Sequence, residues 1–268
     1  MTRICYIVAV PMRHHEPVGP MRKLLLLLSG LLFGIAGSGR NAIAQDQRSA
    51  AEPQSFDRGG FNDETILDWR VKVSADFARV HPDATRQALA LLRKELEAIS
   101  HAVPQQRLPQ LRRAVFWLDE RIHVGAMSAK APVFHPSAQW LLEHGLDPSM
   151  AGGIELPNAQ VFLDSYSWEP WAIMHELAHF YHLTILGEHY GPIHDAYEHA
   201  LAEHLYENVP HYDGKLVRAY ALENEKEYFA ELTEAYFGRN DYYPFTRNEL
   251  ETYDHTGFAL MQTVWGAP

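Results

Sequence analysis

Apolar and polar residues alternate along residues 67–73, in the order Leu-Asp-Trp-Arg-Val-Lys-Val. Successive side chains of a β-strand point to opposite faces of a sheet, so this alternation predicts a half-buried strand. Residues 113–118 form a short apolar run that predicts a central strand. Between the two segments, leucines and alanines recur at helical spacing from Pro82 to about Val103. This order of elements predicts a parallel pair of strands joined by a right-handed crossover.

The middle of the chain is punctuated by glycine and proline, and its predicted elements are shorter. Residues 137–144 predict one short helix. Residues 154–163 contain apolar residues around Pro157, which predicts a strand with a break. Because proline has no N–H donor, we expect this strand near a sheet edge. A helix is predicted to follow directly, from residue 169 or 170 to residue 186, with Gly187 as its stop signal.

The C-terminal part of the chain has mainly helical spacing. Residues 192–207 and residues 213–238 each predict a helix. Thr246 is followed three residues later by Glu249, a capping-box pattern that predicts the start of a last helix, interrupted at Gly257. As a whole, the pattern predicts an α+β fold. We expect a small mixed sheet, an edge strand beside the helix of residues 170–186, and a mainly helical C-terminal half.

The N-terminal residues are organised like a secretory signal peptide. Met21-Arg22-Lys23 is a basic start, an apolar stretch follows it, and Ala42-Ile43-Ala44 provides an A-x-A cleavage site. The apolar stretch is shorter than a membrane anchor, which needs about 20 residues to span a bilayer. We therefore expect residues 1–44 to be removed, with Met21 as the true start, and the protein to be secreted or periplasmic.

Composition adds three expectations. Residues 45–64 are polar and contain adjacent glycines, so we expect a flexible leader before a single domain at residues 65–268. Cys5 is the only cysteine and lies in the signal peptide, which excludes disulfides and cysteine chemistry in the exported protein. The formal net charge is −11, so no nucleic-acid partner is expected. No stable membrane span is expected after processing, and no sequence pattern indicates an oligomeric state.

Candidate chemistry is concentrated in the helix predicted for residues 170–186, which contains His175-Glu-Leu-Ala-His179. Two histidines four residues apart project from one face of a helix and can bind a single zinc ion. Glu176 would lie beside this ion, where a carboxylate can act as a general base. Catalytic zinc has three protein ligands and one open position, so a third ligand is required.

Two familiar arrangements of the third ligand do not fit. The metzincin pattern requires glycine and histidine where this chain has His182 and Ile185, and residues 194–199 do not form the inverted H-x-x-E-H pattern. The remaining option is a glutamate on a following helix. Glu227 and Glu231 stand four apart, so one could bind zinc while the other hydrogen-bonds a ligand histidine.

The helical stripe of Glu227 and Glu231 extends backwards to Asn224 and Tyr220. A tyrosine two turns before a metal ligand has a chemical use. Its phenol could donate a hydrogen bond to the oxyanion that develops when water attacks a peptide carbonyl. The expected cofactor is one zinc ion per chain.

His175-Glu-Leu-Ala-His179, together with Tyr220 and the segment Asn224-Glu-Lys-Glu-Tyr-Phe-Ala-Glu231, resembles the catalytic domain of anthrax lethal factor and related zinc peptidases. That family has the same H-E-x-x-H pattern and a later glutamate ligand in a similar segment; here Glu227 follows His179 by 48 residues. The resemblance covers residues 175–237.

The resemblance implies a zincin-like metallopeptidase fold with a site of the gluzincin type. It implies that His175, His179 and Glu227 bind zinc, that Glu176 is the general base, and that Tyr220 stabilises the oxyanion. Sites of this type use the earlier carboxylate as the ligand. That leaves two residues to support the ligands by hydrogen bonds, Glu231 and Asn224.

Two functions are compatible with these residues. The first is a secreted zinc-dependent endopeptidase that hydrolyses a peptide or protein substrate. The second is a catalytically inactive binding module of the same fold that zinc stabilises. Glu176 favours the enzyme, because a structural zinc site has no use for a general base and usually closes the fourth position with a protein ligand.

Overall fold

The computed structural model describes residues 60–119, 131–144 and 146–267. The predicted signal peptide and most of the predicted leader lie outside these residues. The end of that leader differs from the prediction, because residues 61–64 belong to strand β1 (Phe61–Ile66). β1 forms an antiparallel hairpin with β2 (Trp69–Ser74), joined by a two-residue turn. Both turn residues, Leu67 and Asp68, have positive φ angles, as a type I′ turn requires.

Five strands form one mixed sheet in the order β1-β2-β3-β5-β4. The three further strands are β3 (Val115–Asp119), β4 (Val133–Phe134) and β5 (Gly153–Pro157). β2, β3 and β5 are parallel to one another, whereas β1 and β4 are antiparallel to their neighbours. The predicted parallel pairing of the first two apolar strands is therefore confirmed, and so is the small mixed sheet.

The prediction of an edge strand at residues 154–163 is wrong in two respects. β5 ends at Pro157, and a helix begins two residues later, because the Asn158 side chain caps the N–H groups of Gln160 and Val161. β5 is also an inner strand, since β4 pairs with its outer side and forms the edge. The proline that suggested an edge position is the last residue of the strand.

Helices cover the sheet and form most of the C-terminal half. The helices before the H-E-x-x-H segment are α1 (Ala75–Val80), α2 (Pro82–Ala102), α3 (Leu108–Leu111), α4 (Ala138–Glu143) and α5 (Ala159–Ser165). α2 has the predicted bounds to within one residue and buries the apolar face predicted from its spacing. Leu92 and Leu96 of α2 share one apolar core with Val71, Phe116 and Ile154 of the sheet.

The H-E-x-x-H helix has two parts. α6 (Ala172–Phe180) is α-helical, and it continues as a π-helical segment, Tyr181–Gly187, which ends at the predicted stop, where Gly187 has a φ of 94°. The later helices are α7 (Gly191–Ala202), α8 (Glu225–Phe237), α9 (Arg247–Tyr253) and α10 (His255–Trp265). None of the helices in the described residues is long and apolar enough to cross a membrane.

The helix predicted for residues 213–238 is wrong in its first half. A small hairpin of β6 (Val209–Pro210) and β7 (Leu216–Val217) comes first, followed by a 3₁₀ turn, Tyr220–Leu222, and only then by α8. The helix predicted for residues 192–207 also ends five residues early, at the end of α7. A single helical stripe from Tyr220 to Glu231 therefore does not exist.

The last two helices were predicted as one. The capping box of Thr246 and Glu249 is present at the start of α9. The break lies at Asp254, three residues before the predicted interruption at Gly257. Asp254 caps α10 by accepting a hydrogen bond from the Gly257 N–H at 2.8 Å, so the glycine lies within the first turn of α10.

Candidate metal centre

The H-E-x-x-H helix lies in the interior of the domain. All nine residues of α6 are buried, and the side chains of His175 and His179 are 0 % exposed. Most residues of α6 are strong helix formers such as alanine, leucine, methionine and glutamate. Because the two histidines are four residues apart, their rings project from one face, with ring centroids 4.7 Å apart.

The first turn of α8 brings a carboxylate to these rings. α8 packs against α6, and Glu227 is fully buried at the contact. The Asn224 side chain accepts hydrogen bonds from the N–H groups of Lys226, at 2.9 Å, and of Glu227, at 3.1 Å. Asn224 is therefore the N-cap of α8. It fixes the backbone that carries Glu227, whereas the sequence predicts it on the helical face beside the ligands.

Three donor atoms meet in a nearly equilateral triangle. The Nε2 atoms of His175 and His179 are 3.0 Å apart, and Glu227 Oε2 lies 3.1 Å from the first and 3.2 Å from the second. Ligand atoms of a tetrahedral zinc ion are separated by about 3.4 Å, given Zn–N and Zn–O distances of about 2.1 Å. The three residues predicted as ligands therefore form a group that could hold a metal ion.

The hydrogen bonding of His175 indicates which of its nitrogen atoms could bind the metal. Its Nδ1 lies 2.8 Å from Glu234 Oε1, so the ring donates its N–H to that carboxylate. In the neutral imidazole, Nε2 then presents a lone pair toward His179 and Glu227. Three lone-pair donors this close repel one another unless a cation lies among them, so the donor set fits a cation.

Glu234, which the sequence analysis did not identify, is the closer carboxylate partner of His175. The predicted partner, Glu231, has its Oε1 at 3.7 Å from His175 Nδ1. Glu234 lies seven residues after Glu227 and shares its helical face, so continuing the stripe forwards would add it to Glu231 as a second candidate. The backward extension to Tyr220 fails because the helix begins only at residue 225.

A second group of residues could also hold a metal ion. Glu169, His175 and Glu234 are buried, and one donor atom of each lies within 4.8 Å of the others. The two groups share His175. The bond from Nδ1–H to Glu234 favours the group of His175, His179 and Glu227, in which His175 presents Nε2, because a protonated nitrogen cannot also bind a metal. We call these three residues the Nε2 group.

The Glu176 carboxylate is held by the edge of the sheet. Glu176 is 3 % exposed, and its Oε2 accepts a hydrogen bond from the backbone N–H of Phe134 at 2.7 Å. Phe134 lies in β4, and its ring packs edge-on against Phe180 of α6 at a centroid distance of 6.1 Å. β4 is therefore the edge strand beside the H-E-x-x-H helix.

Burial and neighbouring imidazoles have opposite effects on the pKa of Glu227. Burial by itself would raise the pKa of the Glu227 carboxyl, but the His179 and His175 imidazoles beside it hold this pKa well below its usual range. Three further buried glutamates, Glu169, Glu231 and Glu234, lie close to His175. Such a concentration of buried carboxylates favours a bound cation.

Tyr220 and His182 both lie in segments that pack against α8. Tyr220 lies in the 3₁₀ turn that packs against α8, with 9 % of its side chain exposed, and its role at an oxyanion stays a prediction. His182 lies in the π-helical segment, fully buried and edge-on to Phe229. Burial, with the nearby His179 and Lys226, lowers the pKa of His182 to about 4. His182 belongs to neither metal group.

Comparison of the chain with protein-family models, with curated proteins and with solved structures found no match. The chemistry of the site therefore has to be inferred from its own residues. These are two imidazoles and one carboxylate around one point, with a further carboxylate, Glu176, on the same helix.

Proposed function

We propose that this protein is a zinc-dependent endopeptidase with a zincin-like fold, exported as its N-terminal residues predict. One observation carries the proposal: the donor atoms of His175, His179 and Glu227 form a triangle with edges of 3.0 to 3.2 Å. Glu176, the residue after the first ligand, supplies the general base. The substrate class is an extended peptide or a protein segment.

Zinc is the metal that suits this donor set. Two neutral imidazoles and one carboxylate are the ligands of many catalytic zinc sites, which leave a fourth position for water or substrate. Calcium and magnesium prefer sets composed only of oxygen atoms. When bound, zinc would act as a Lewis acid that polarises a carbonyl oxygen and lowers the pKa of water.

Glu176 moves the proton in the proposed reaction. Its carboxylate takes a proton from the attacking water and later returns it to the leaving amine. The Phe134 N–H donates to one of its oxygens, Oε2, and so holds that end of the carboxylate in place. Glu234 keeps the His175 ring in one tautomer and one orientation throughout. Tyr220 is assigned the hydrogen bond to the developing oxyanion.

The alternative function is a catalytically inactive module in which zinc only stabilises the fold. A purely structural zinc site usually has four protein ligands. In the described residues, the Nε2 group offers three protein ligands, and Glu176 follows one of them, His175, directly in sequence. This composition favours the enzyme.

Metal analysis and a cleavage assay on a peptide library test the proposal together. We expect one zinc ion per chain and cleavage that a chelator abolishes and added zinc restores. Glu176→Gln should keep its zinc and lose at least about 1,000-fold in kcat, since the general base is removed. Glu198→Gln is the matched control, because Glu198 is exposed on α7. Zinc without cleavage of any library peptide would favour the inactive module.

A further inference from the structure

β4 is only two residues long, yet it supplies the hydrogen bond that orients Glu176. The backbone of the next residue, His135, pairs with the β5 side of the sheet, through His135 N to Gly153 O at 3.0 Å and Gly152 N to His135 O at 2.7 Å. Because backbone groups alternate in direction along a strand, the Phe134 N–H faces outward, to Glu176 Oε2 at 2.7 Å.

Only the observed register of β4 can serve Glu176 in this way. A shift by one residue would turn the Phe134 ring away from Phe180 and the apolar core. A shift by two residues would place Pro132 or Pro136 where Phe134 now donates, and proline has no N–H. An edge strand with so few backbone bonds needs something else to hold it in place.

A buried polar pair holds this strand from the opposite face of the sheet. His135 Nε2 lies 2.8 Å from Glu155 Oε2 of β5, and both side chains are at most 1 % exposed. A buried pair of this kind stabilises a fold little compared with apolar residues of similar size, but it can specify one arrangement. On this face the His135 ring also stacks beside Trp140 of α4, with centroids 6.2 Å apart.

We propose that His135 and Glu155 are positioning residues for Glu176, acting through the register of β4. The inference rests on the proposed peptidase function for its effect on turnover. The imidazole N–H of His135 donates to the Glu155 carboxylate and ties the end of β4 to β5. The Phe134 N–H is thereby kept on Glu176, and the carboxylate keeps the orientation in which it can exchange a proton with water.

The double variant His135→Leu with Glu155→Leu removes the polar pair without leaving one partner buried alone. We expect its thermal midpoint and zinc content to stay close to those of the native protein. We expect kcat to fall by about 10- to 100-fold while KM changes by less than about threefold, because the base is displaced and substrate contacts remain. His135→Gln, which keeps a donor toward Glu155, should retain most of the activity, and exposed Glu143→Gln of α4 is the control.

Hydrogen exchange of the Phe134 amide, measured by NMR with ¹⁵N-phenylalanine, tests the inference without any activity. Exchange should be at least about tenfold faster in the double variant than in the native protein, since the amide leaves its acceptor. Should the double variant not fold, His135→Asn, whose shorter side chain cannot reach Glu155, takes its place.

The two readouts separate this inference from the proposed function. A folded variant in which the Phe134 amide stays as protected as in the native protein would overturn the positioning role, whether or not the protein cleaves peptides. If the native protein cleaves no peptide but the amide loses protection in the variant, the proposed function fails and the structural role of the pair stands.

Discussion

The His175 imidazole is the residue on which the candidate site depends most, because both of its ring nitrogens are used. Nε2 belongs to the triangle with His179 and Glu227, and Nδ1 bonds to Glu234 at 2.8 Å. A carboxylate that accepts the second N–H of a ligand histidine fixes the ring and raises its basicity. Glu234 should therefore control metal affinity although it does not bind the metal.

Glu234→Gln is expected to weaken zinc binding by about 10- to 100-fold, because an amide oxygen is a weaker acceptor and the amide can present its NH₂ group instead. Glu231→Gln should have a smaller effect, since Glu231 Oε1 lies 3.7 Å from His175 Nδ1. Competition with a chromophoric chelator measures both affinities. Equal losses in the two variants would show that the carboxylates share the role, and a larger loss at Glu231 would favour the prediction made from sequence.

The residues of the site differ in how far the sequence alone predicts them. His175, Glu176 and His179 follow from local spacing alone, since a helix determines their relative positions. Glu227 and Glu231 are the two candidates for the third ligand that the sequence offers, because both share one face of a predicted helix. Glu234 could not be separated from Glu231 by spacing, because both share a face with Glu227. Only the packing of α8 on α6 decides which carboxylate reaches the ring.

At the scale of elements, Gly238 lies where the C-terminal end of α8 meets the start of α6. Gly238 caps the C-terminus of α8, and its Cα lies against the ring of Trp171, the residue just before α6. A side-chain methyl group at Gly238 would overlap the Trp171 indole ring. The absence of a side chain therefore allows α8 to approach the start of the H-E-x-x-H helix.

Gly238→Ala should destabilise the protein by about 1 to 3 kcal/mol, because the indole ring or the backbone beside it must shift to make room for the methyl group. Gly191→Ala is the matched control. No atom lies within 4 Å of the position of a methyl group there, and Gly191 is the first residue of a helix. Urea unfolding monitored by circular dichroism gives both free energies. A Gly238→Ala variant as stable as Gly191→Ala would show that the Trp171 ring moves at no cost.

The elements that the sequence predicts well are those with a long internal pattern. α2 shows its apolar face over 21 residues, and β2 and β3 have clear alternating or apolar runs. β1 could not be found in this way, because four of its six residues are exposed and its conformation comes from pairing with β2. β4 has only two residues, and its pairing with β5 is a tertiary contact that no local pattern encodes.

The segment before α8 shows why spacing alone can mislead. Tyr220 and Asn224 stand four apart and so satisfy a helical pattern by coincidence, whereas the chain forms the β6–β7 hairpin and a 3₁₀ turn before α8. The decisive signal is Asn224, a strong N-cap residue directly before a run of helix formers. Weighing that cap above the stripe would have started the helix at residue 225.

At the scale of the whole molecule, Glu95 links the helix that covers the sheet to the start of the H-E-x-x-H helix. It lies on α2, is 6 % exposed, and its carboxyl group lies near the backbone N–H of Ile173 in the first turn of α6. Burial raises the pKa of its carboxyl from 4.5 to about 8, although the Ile173 N–H and the Lys94 ammonium oppose this shift. The folded protein therefore holds a proton on Glu95 that the unfolded chain releases in mild acid.

This difference makes stability depend on pH. Below about pH 4.5 both the folded and the unfolded chain keep the proton, and the contribution of Glu95 to stability is fully present. Between about pH 4.5 and about pH 8 only the folded protein keeps it, so the free energy of unfolding falls as pH rises. Each pH unit in that window corresponds to roughly 1.4 kcal/mol at most, and the loss levels off above the folded pKa.

Glu95→Gln should remove this pH dependence, because an amide of nearly the same size stays neutral at every pH. The variant should match the native protein near pH 4.5 and exceed its stability by up to a few kcal/mol at pH 8. Urea unfolding at both pH values gives the four free energies, and the difference between variant and native protein cancels every other titrating group. Glu97→Gln is the control. Glu97 is an exposed residue two positions after Glu95 on α2, so this variant should leave the pH curve unchanged. Parallel pH curves for native protein and Glu95→Gln would show that Glu95 is ionised in the folded state, and that the start of α6 holds a buried charge.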